Sequence, residues 1–162
     1  EWPQVAKQIW DLPRREYQYA AMELCAKKLK SYLPGHLELF EYMIQDRSWW
    51  DTVDFIAGTL VGGLFRMHPQ LIGPAVMRWT AGPDFWFHRC SILFQLKYGK
   101  KTDAPLLFRL CRDFAGEKEF FIRKAIGWAL RQYSKSEPAA VRDFIGRQKL
   151  SPLSRKEASK YI

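Results

Sequence analysis

The sequence has few residues that could form disulfide bonds or bind a metal ion. Only three cysteines and three histidines occur among its 162 residues, and they lie far apart. An odd number of distant cysteines does not fit a disulfide framework, and no His/Cys group has the spacing of a metal site. We therefore predict reduced core thiols in an intracellular protein, with no metal site and no cofactor. The cysteines are Cys25, Cys90 and Cys111, and the histidines are His36, His68 and His88.

Long apolar runs are also missing from the sequence. No run approaches the roughly 20 residues that a membrane-spanning helix needs, and no signal peptide is present. We therefore expect no membrane partner. The chain begins with Glu1 and not with methionine, so we expect a fragment or an N-terminally shortened relative of a longer protein.

Acidic residues are outnumbered by basic ones. The chain has 26 Lys and Arg against 17 Asp and Glu, which leaves a net charge of +9. This surplus favours a polyanionic partner, nucleic acid before a membrane surface, but a merely soluble basic protein has the same composition. Hydrophobic residues make up 48% and aromatic residues 15% of the chain, so we predict one folded domain over residues 1–162.

Strand-like alternation never lasts beyond a few residues, whereas apolar residues recur at intervals of three and four along the whole chain. This periodicity predicts an all-α fold. Most of the connections are short, which favours antiparallel packing of successive helices. The predicted helices cover residues 3–10, 13–33, 36–45, 48–67, 70–80, 84–98, 103–114, 117–134, 136–149 and 154–161.

Several residues are expected to begin, end or bend these helices. Ser48 and Ser154 are plausible N-caps, and Gly116 is a plausible C-terminal cap. Glycines inside the helix over 48–67 cost about 1 kcal/mol each relative to alanine. Close helix packing or a kink would explain them, and both explanations stay open. These glycines are Gly58, Gly62 and Gly63.

The sequence also contains a weak internal repeat. The segment 85–94 aligns with the segment 120–127 so that Arg89 falls on Arg123, and the helix of Trp50 lies about one repeat upstream. A period in the middle thirties, with a short and a longer helix per unit, is typical of a HEAT-like repeat α-solenoid. Such a solenoid is built of antiparallel helix pairs with a concave face, here predicted to be basic. Asp54, Arg89 and the turn around Trp128 would converge on that face.

The segment 48–58 reads Ser-Trp-Trp-Asp-Thr-Val-Asp-Phe-Ile-Ala-Gly. On a helix, Trp50 and Asp54 are four residues apart and share a face, whereas Asp51 points elsewhere. A carboxylate beside a large aromatic face is a candidate site. The alternative is that both tryptophans belong to the core and that the acids favour the helix N-terminus.

Several separated blocks resemble the AlkD family of DNA alkylpurine glycosylases. They are Trp-Asp-Leu-Pro at 10–13, Ser-Trp-Trp-Asp-Thr-Val-Asp at 48–54, Ile-Leu-Phe-Gln-Leu-Lys-Tyr at 92–98, Lys-Glu-Phe-Phe-Ile at 118–122, Lys-Ala-Ile-Gly-Trp at 124–128 and Pro-Leu-Ser at 152–154. The resemblance implies a HEAT-like solenoid that holds duplex DNA in a positive groove. It also implies removal of cationic N3- and N7-alkylated purines, without insertion of the base into a pocket, to leave an abasic site. Members of this family usually have further helices before the point where this chain starts.

The resemblance also implies roles for individual residues. Asp54 corresponds to the catalytic aspartate, and Trp50 and Trp128 to the tryptophans that pack beside the deoxyribose of the lesion. Arg89 corresponds to the arginine that holds the DNA backbone. The resemblance further implies double-stranded DNA with alkylated purines as the partner, no obligate protein partner, and a cytoplasmic location of the bacterial type, on the nucleoid.

Other residues near the predicted inner helices leave two interpretations open. Lys97, Arg131 and Lys135 could contact DNA phosphates, but a solvated basic face is about as common. Trp49 and Asp51 are expected to be a packing aromatic and a first-turn acid.

The chemistry of the lesion suits these residue types. Alkylation at N3 or N7 makes the purine a cationic leaving group, and positive charge develops on the deoxyribose as the bond stretches. A carboxylate can stabilise that charge and orient the attacking water. No lysine lies in an obviously apolar context, so we expect a monofunctional hydrolase without lyase activity. The rival hypotheses are a non-catalytic HEAT-like module that binds DNA and a scaffold that binds protein.

Overall fold

The computed structural model describes all 162 residues, and it contains helices and turns but no strand. The all-α prediction is therefore confirmed. The chain divides into two compact units, Glu1–Cys90 and Ser91–Ile162. No helix combines the length and the apolar character needed to cross a membrane.

The first unit contains six helices and the start of a seventh. A π-helical turn, Ile56–Val61, joins α4 to α5, and short 3-10 turns cover Leu29–Ser31 and Pro69–Leu71. The helices are α1 (Trp2–Trp10), α2 (Arg15–Lys27), α3 (His36–Gln45), α4 (Trp50–Phe55), α5 (Gly62–Met67), α6 (Ile72–Ala81) and α7 (Phe85–Leu93).

The second unit is built around its longest helix. Helix α9 (Phe120–Ser134) packs against both helices that follow it. Gly127 permits the closest approach, because a Cβ atom at this position would lie 2.9 Å from the carbonyl oxygen of Ser154. The other elements are α8 (Ala104–Asp113), α10 (Pro138–Arg147), α11 (Pro152–Ala158) and the 3-10 turns Gly99–Lys101 and Ser159–Tyr161.

Helix α7 is shorter than the predicted helix over 84–98. It ends at Leu93, and the chain then folds into tight turns that lead to Gly99, whose φ is +55°. The side chain of Gln95 joins these turns to the start of α8, because its Oε1 accepts a hydrogen bond of 2.7 Å from the backbone N–H of Asp103.

Two of the predicted helix caps are wrong, namely Ser48 before α4 and Gly116 after α8. The hydroxyl of Ser48 donates to the carbonyl of Ile44 at 2.6 Å, so it closes the preceding helix, and Trp49 is the N-cap residue of α4. Gly116 is not the C-terminal cap of α8, because the helix ends at Asp113 and Gly116 does not adopt a positive φ.

The predicted N-cap Ser154 is also wrong. Ser151 caps α11, and its hydroxyl accepts a hydrogen bond of 3.1 Å from the backbone N–H of Ser154. Proline is favoured in the first helical position, and Pro152 therefore sets the start two residues earlier than expected. The buried Ser154 hydroxyl instead donates to the carbonyl of Arg123 at 2.8 Å.

Side-chain hydrogen bonds in the first unit recur at a nearly constant separation in sequence. The indole N–H of Trp10 donates to Asp46, 36 residues later, and that of Trp79 donates to Glu41, 38 residues earlier. Equivalent positions of neighbouring repeats therefore meet. This separation agrees with the predicted period in the middle thirties.

Of the two explanations for the glycines within the predicted helix over 48–67, the structure shows close packing at one glycine, and a π-helical turn contains another. A side chain at Gly63 would collide with the side chain of Leu29, so this glycine permits close packing. The π-helical turn Ile56–Val61 includes Gly58 and interrupts the regular α-helical register directly after the segment that carries Trp50 and Asp54.

Candidate active site

The turn that leads into α4 is strained. Arg47 has a φ of +53°, and it is the one residue other than glycine with a positive φ. Side chains with a Cβ rarely adopt this conformation, and such strain persists only where the surroundings enforce it. Trp49 follows in an extended conformation, and the helix begins at Trp50.

The side chain of Arg47 enforces this conformation. Its guanidinium group donates to the carbonyl oxygens of Trp10 at 2.8 Å, Leu12 at 2.7 Å and Asp11 at 3.0 Å. The carbonyl of Arg47 in turn accepts a hydrogen bond of 3.2 Å from Arg15. The start of α4 is thus tied to the connection between α1 and α2.

Asp51 adds a second tie in the first turn of α4. Its Oδ1 accepts from the backbone N–H of Thr52 at 2.7 Å and from Arg15, and its Oδ2 accepts from the Tyr19 hydroxyl at 2.5 Å. Burial raises the pKa of Asp51, but these three donors outweigh burial and the pKa lies below its ordinary value. We call Arg15, Tyr19, Arg47 and Asp51 the α4 anchor.

The two tryptophans at the start of α4 are half exposed, at 50% for Trp49 and 47% for Trp50. The alternative in which both belong to the core is therefore wrong. The ring of Trp49 lies 6.3 Å from that of Trp86. The Trp50 side chain makes no hydrogen bond or aromatic contact within the chain, so its face is available to a ligand.

Asp54 lies one turn after Trp50, and Arg89 binds it in a bidentate manner. The Nε of Arg89 donates to Oδ1 of Asp54 at 2.7 Å, and Nη2 donates to Oδ2 at 2.9 Å. Both side chains are largely buried, with 5% of Arg89 and 12% of Asp54 exposed. The structure thus brings together two residues that are 35 positions apart in sequence.

Arg89 does not fully compensate the carboxylate of Asp54. Burial raises the pKa of Asp54, the hydrogen bonds and charge of Arg89 lower it, and the charge of Asp51 raises it slightly. The net pKa lies above its ordinary value. A carboxylate whose charged form is this costly, next to an exposed indole, is typical of a functional site.

The remaining predicted site residues lie in the second unit. Trp128 is on α9, where it is partly exposed. Lys97 is exposed in the turn after α7, and Lys135 is exposed with its Nζ 5.2 Å from the ring centroid of Tyr161.

Arg131 is engaged within the second unit. Its Nη1 lies 2.7 Å from the carboxylate of Glu157, which also lies 3.2 Å from Lys124 and 3.1 Å from Lys160. Burial raises the pKa of Glu157, but the hydrogen bonds and charges of the two lysines outweigh burial and the pKa lies below its ordinary value. We call these four residues the Glu157 cluster.

Sequence reasoning missed the α4 anchor. None of its basic or aromatic members belongs to a motif, namely Arg15, Tyr19 and Arg47. The hydrogen bond between Arg15 and Asp51 had one signal in the sequence, because its partners are 36 residues apart, as are those of another repeat contact. No group of three or more His, Cys, Asp or Glu side chains could hold a metal ion. All three cysteines are free and buried, and burial raises the pKa of Cys25 to about 12.

Comparisons with known proteins agree on one family. The family model for the DNA alkylation repair enzyme matches residues 1–162. A solved structure described as a predicted DNA alkylation repair enzyme from Enterococcus faecalis is 31% identical and superimposes with a TM-score of 0.92. The match covers 99% of this chain and 75% of that one. No curated protein matches the sequence at a significant level.

Proposed function

The chain belongs to the family of DNA alkylation repair enzymes, and we propose that it is a DNA glycosylase. It hydrolyses the N-glycosidic bond of cationic N3- and N7-alkylated purines in duplex DNA, of the 3-methyladenine and 7-methylguanine type, and leaves an abasic site. The observation that carries this proposal is the buried, incompletely compensated carboxylate of Asp54 one turn after the exposed indole of Trp50.

Asp54 supplies the negative charge that the reaction needs. Alkylation has already made the purine a cationic leaving group, so bond cleavage leaves positive charge on the deoxyribose. The carboxylate stabilises this charge and accepts a proton from the attacking water. A carboxylate held out of water acts more strongly than one in solvent, because the dielectric constant around it is lower.

The tryptophans and Arg89 act on the sugar and the backbone. The resemblance assigns to Trp50, and separately to Trp128, the role of packing beside the cationic deoxyribose, an interaction worth roughly 0.5–2 kcal/mol for each aromatic ring. Arg89 fixes both oxygens of Asp54 and, as the resemblance implies, holds the DNA backbone at the lesion. Two of its N–H groups are bound to Asp54.

The proposed enzyme works on double-stranded DNA in the cytoplasm, without a cofactor and without an obligate protein partner. It has no lyase activity, because none of the three proposed catalytic residues, Asp54, Trp50 and Trp128, is a lysine that could form a Schiff base. Lys97, Arg131 and Lys135 are proposed contacts to DNA phosphates.

Release of 7-methylguanine from a defined duplex tests the proposal. We expect the wild-type chain to release the base and Asp54→Asn to be slower by about 10²–10³-fold, as is typical for loss of one electrostatic partner of a transition state. DNA binding should be retained in Asp54→Asn. Asp113→Asn is the matched control, because Asp113 is exposed and no ion pair or side-chain hydrogen bond engages it.

Two outcomes would contradict the proposal. A folded wild-type chain that binds DNA but releases no base would be a non-catalytic DNA-binding module. Strand cleavage at the abasic site by the purified chain, with trapping of a covalent complex by borohydride, would show lyase chemistry in place of simple hydrolysis.

A further inference from the structure

Arg123 in the second unit has no partner for its charge. The guanidinium group makes no hydrogen bond, ion pair or aromatic contact within the chain, and its Nε is buried. A buried donor without a partner has a desolvation cost that nothing in the folded chain offsets.

The internal repeat makes this observation more specific. Arg123 aligns with Arg89, whose guanidinium group is bound on two N–H groups by Asp54. The position one repeat before Arg123, equivalent to Asp54, falls on 88 or 89, where the sequence has His and Arg and no carboxylate. The second repeat therefore keeps the arginine and lacks the acid.

A nearby acid could pair with Arg123 but does not. Glu119 precedes it by four residues, a spacing that favours an ion pair along a helix. In the structure, however, Oε1 of Glu119 accepts a hydrogen bond of 3.2 Å from the backbone N–H of Phe121, as the N-cap of α9. No oxygen of Glu119 lies within ion-pair distance of Arg123.

The place of Arg123 in the helix adds to its cost. It lies in the first turn of α9, where the exposed backbone N–H groups carry partial positive charge. A cation is disfavoured at this end of a helix, whereas an anion is favoured there. The carboxylate of Glu119 already caps this helix end, so the arginine alone is left to attract an anion.

We propose that the guanidinium group of Arg123 binds a phosphodiester group of the DNA substrate. The planar guanidinium group matches the oxygens of a phosphate. Only Nε is buried, so the two Nη groups can meet a phosphate without breaking an internal contact. This proposal rests on the proposed function for the identity of the ligand, which is DNA, and does not need the glycosylase activity itself.

Equilibrium binding to undamaged duplex DNA at several salt concentrations tests this site. We expect Arg123→Gln to weaken binding about tenfold and to reduce the slope of log K against log salt by about 0.9, the loss of one phosphate contact. Its melting temperature should be unchanged or higher, because the substitution removes no internal bond. Arg112→Gln is the matched control, since Arg112 is exposed on α8 and loses the same charge.

Three results would overturn the proposal. One is a lower melting temperature for Arg123→Gln with an unchanged salt slope, which indicates a structural role. The second is an equal change of slope in Arg112→Gln, which indicates a general charge effect. The third is a non-additive melting temperature in the double variant with Glu119→Gln, which indicates that the two side chains pair in solution.

The salt slope separates this proposal from the proposed glycosylase activity. A chain that releases no base can still show the loss of one phosphate contact in Arg123→Gln, and this result would support the site. Conversely, a chain that releases the base, but whose Arg123→Gln variant keeps the wild-type slope, would retain the activity and exclude the site.

Discussion

Asp54 in the first unit and Glu157 in the second are both largely buried carboxylates that pair with arginine, at 12% and 10% side-chain exposure. Their pKa values nevertheless move in opposite directions. Burial raises both pKa values, but one arginine does not outweigh burial at Asp54, whereas Lys124, Arg131 and Lys160 surround Glu157.

This difference separates two uses of a buried charge. The charge of Glu157 is compensated within the chain, and the Glu157 cluster joins α9 to α11 and to the C-terminal turn. The charge of Asp54 is retained at a cost, next to an exposed aromatic face. Natural proteins accept such costs mainly at functional sites.

The largest contrast should appear in catalysis. At a temperature where both variants are folded, Asp54→Asn should slow release of 7-methylguanine by about 10²–10³-fold, and Glu157→Gln should change it by less than about threefold. Single-turnover release rates measure this difference. Equal losses in the two folded variants would mean that Asp54 has no role in base release beyond that of any buried carboxylate.

At neutral pH, Glu157→Gln should lower the free energy of unfolding more than Asp54→Asn does, the reverse of the order in catalysis. Glu157→Gln removes the partner of the partly buried Arg131, and loss of one member of such a pair costs about 3 kcal/mol. Asp54→Asn deprives Arg89 of its counter-charge but also removes the desolvation cost of a carboxylate. These two effects oppose each other, because the buried guanidinium of Arg89 loses its partner while the raised pKa shows that the charged carboxylate is itself costly. Unfolding in urea should therefore show a smaller loss of stability for Asp54→Asn than for Glu157→Gln.

Opposite pH dependence should sharpen the comparison further. A raised pKa in the folded state means that the native chain binds more protons, so the contribution of Asp54 to stability falls as pH rises from its ordinary pKa of 3.8. A lowered pKa means the reverse, so the contribution of Glu157 falls as pH drops from 4.5 toward its folded pKa.

Melting temperatures across this acidic range, each referred to Asp54→Asn or Glu157→Gln at the same pH, give the two slopes. If melting temperature changed with pH in the same direction for both carboxylates, the cations around Asp54 and Glu157 would compensate their charges to a similar degree, which would contradict the comparison.

The smallest effect is expected at the α4 anchor. Tyr19→Phe removes one hydrogen bond to Asp51 at a partly exposed position, so it should cost less than about 1 kcal/mol of stability. Base release should nevertheless slow about threefold, because the first turn of α4, which carries Trp50, becomes less precisely held. Tyr17→Phe is the control, since the exposed hydroxyl of Tyr17 on the same helix makes no hydrogen bond. Equal rates in the two variants would exclude this positioning role.

Much of the helical order followed from local sequence. The helix over 36–45 has the predicted bounds, because Pro34-Gly35 and the polar residues after Gln45 interrupt the periodicity on both sides. The meeting of Asp54 with Arg89 followed from the repeat period, since residues one repeat apart occupy neighbouring helices. Proline and glycine residues mark helix ends within the local sequence. Repeat spacing predicts which helices are neighbours without any knowledge of side-chain geometry.

Features that depend on distant partners could not be predicted. Ser154 is a residue type that often caps helices, but its hydroxyl binds the carbonyl of Arg123, 31 residues away, which only the folded chain brings near. Ser48 instead binds the carbonyl of Ile44, four residues earlier at the end of the preceding helix, and residue type alone does not distinguish this bond from an N-cap. The strained conformation of Arg47 is enforced by carbonyl oxygens more than 30 residues away, at separations of 35 to 37. Neither effect leaves a periodic signal in the sequence.

The π-helical turn Ile56–Val61 changes the rotation of α5 about the helix axis relative to α4, although the two helices form one continuous segment. An extra residue in a helix rotates everything that follows by about 100° and advances it by about 1.5 Å. The half that carries Trp50 and Asp54 can thus be oriented by what it binds, while the half from Gly62 onward is oriented by its packing against Leu29. Deletion of one residue within the turn would rotate one half relative to the other, so the packing of Gly63 against Leu29 and the contact of Asp54 with Arg89 could not both be kept.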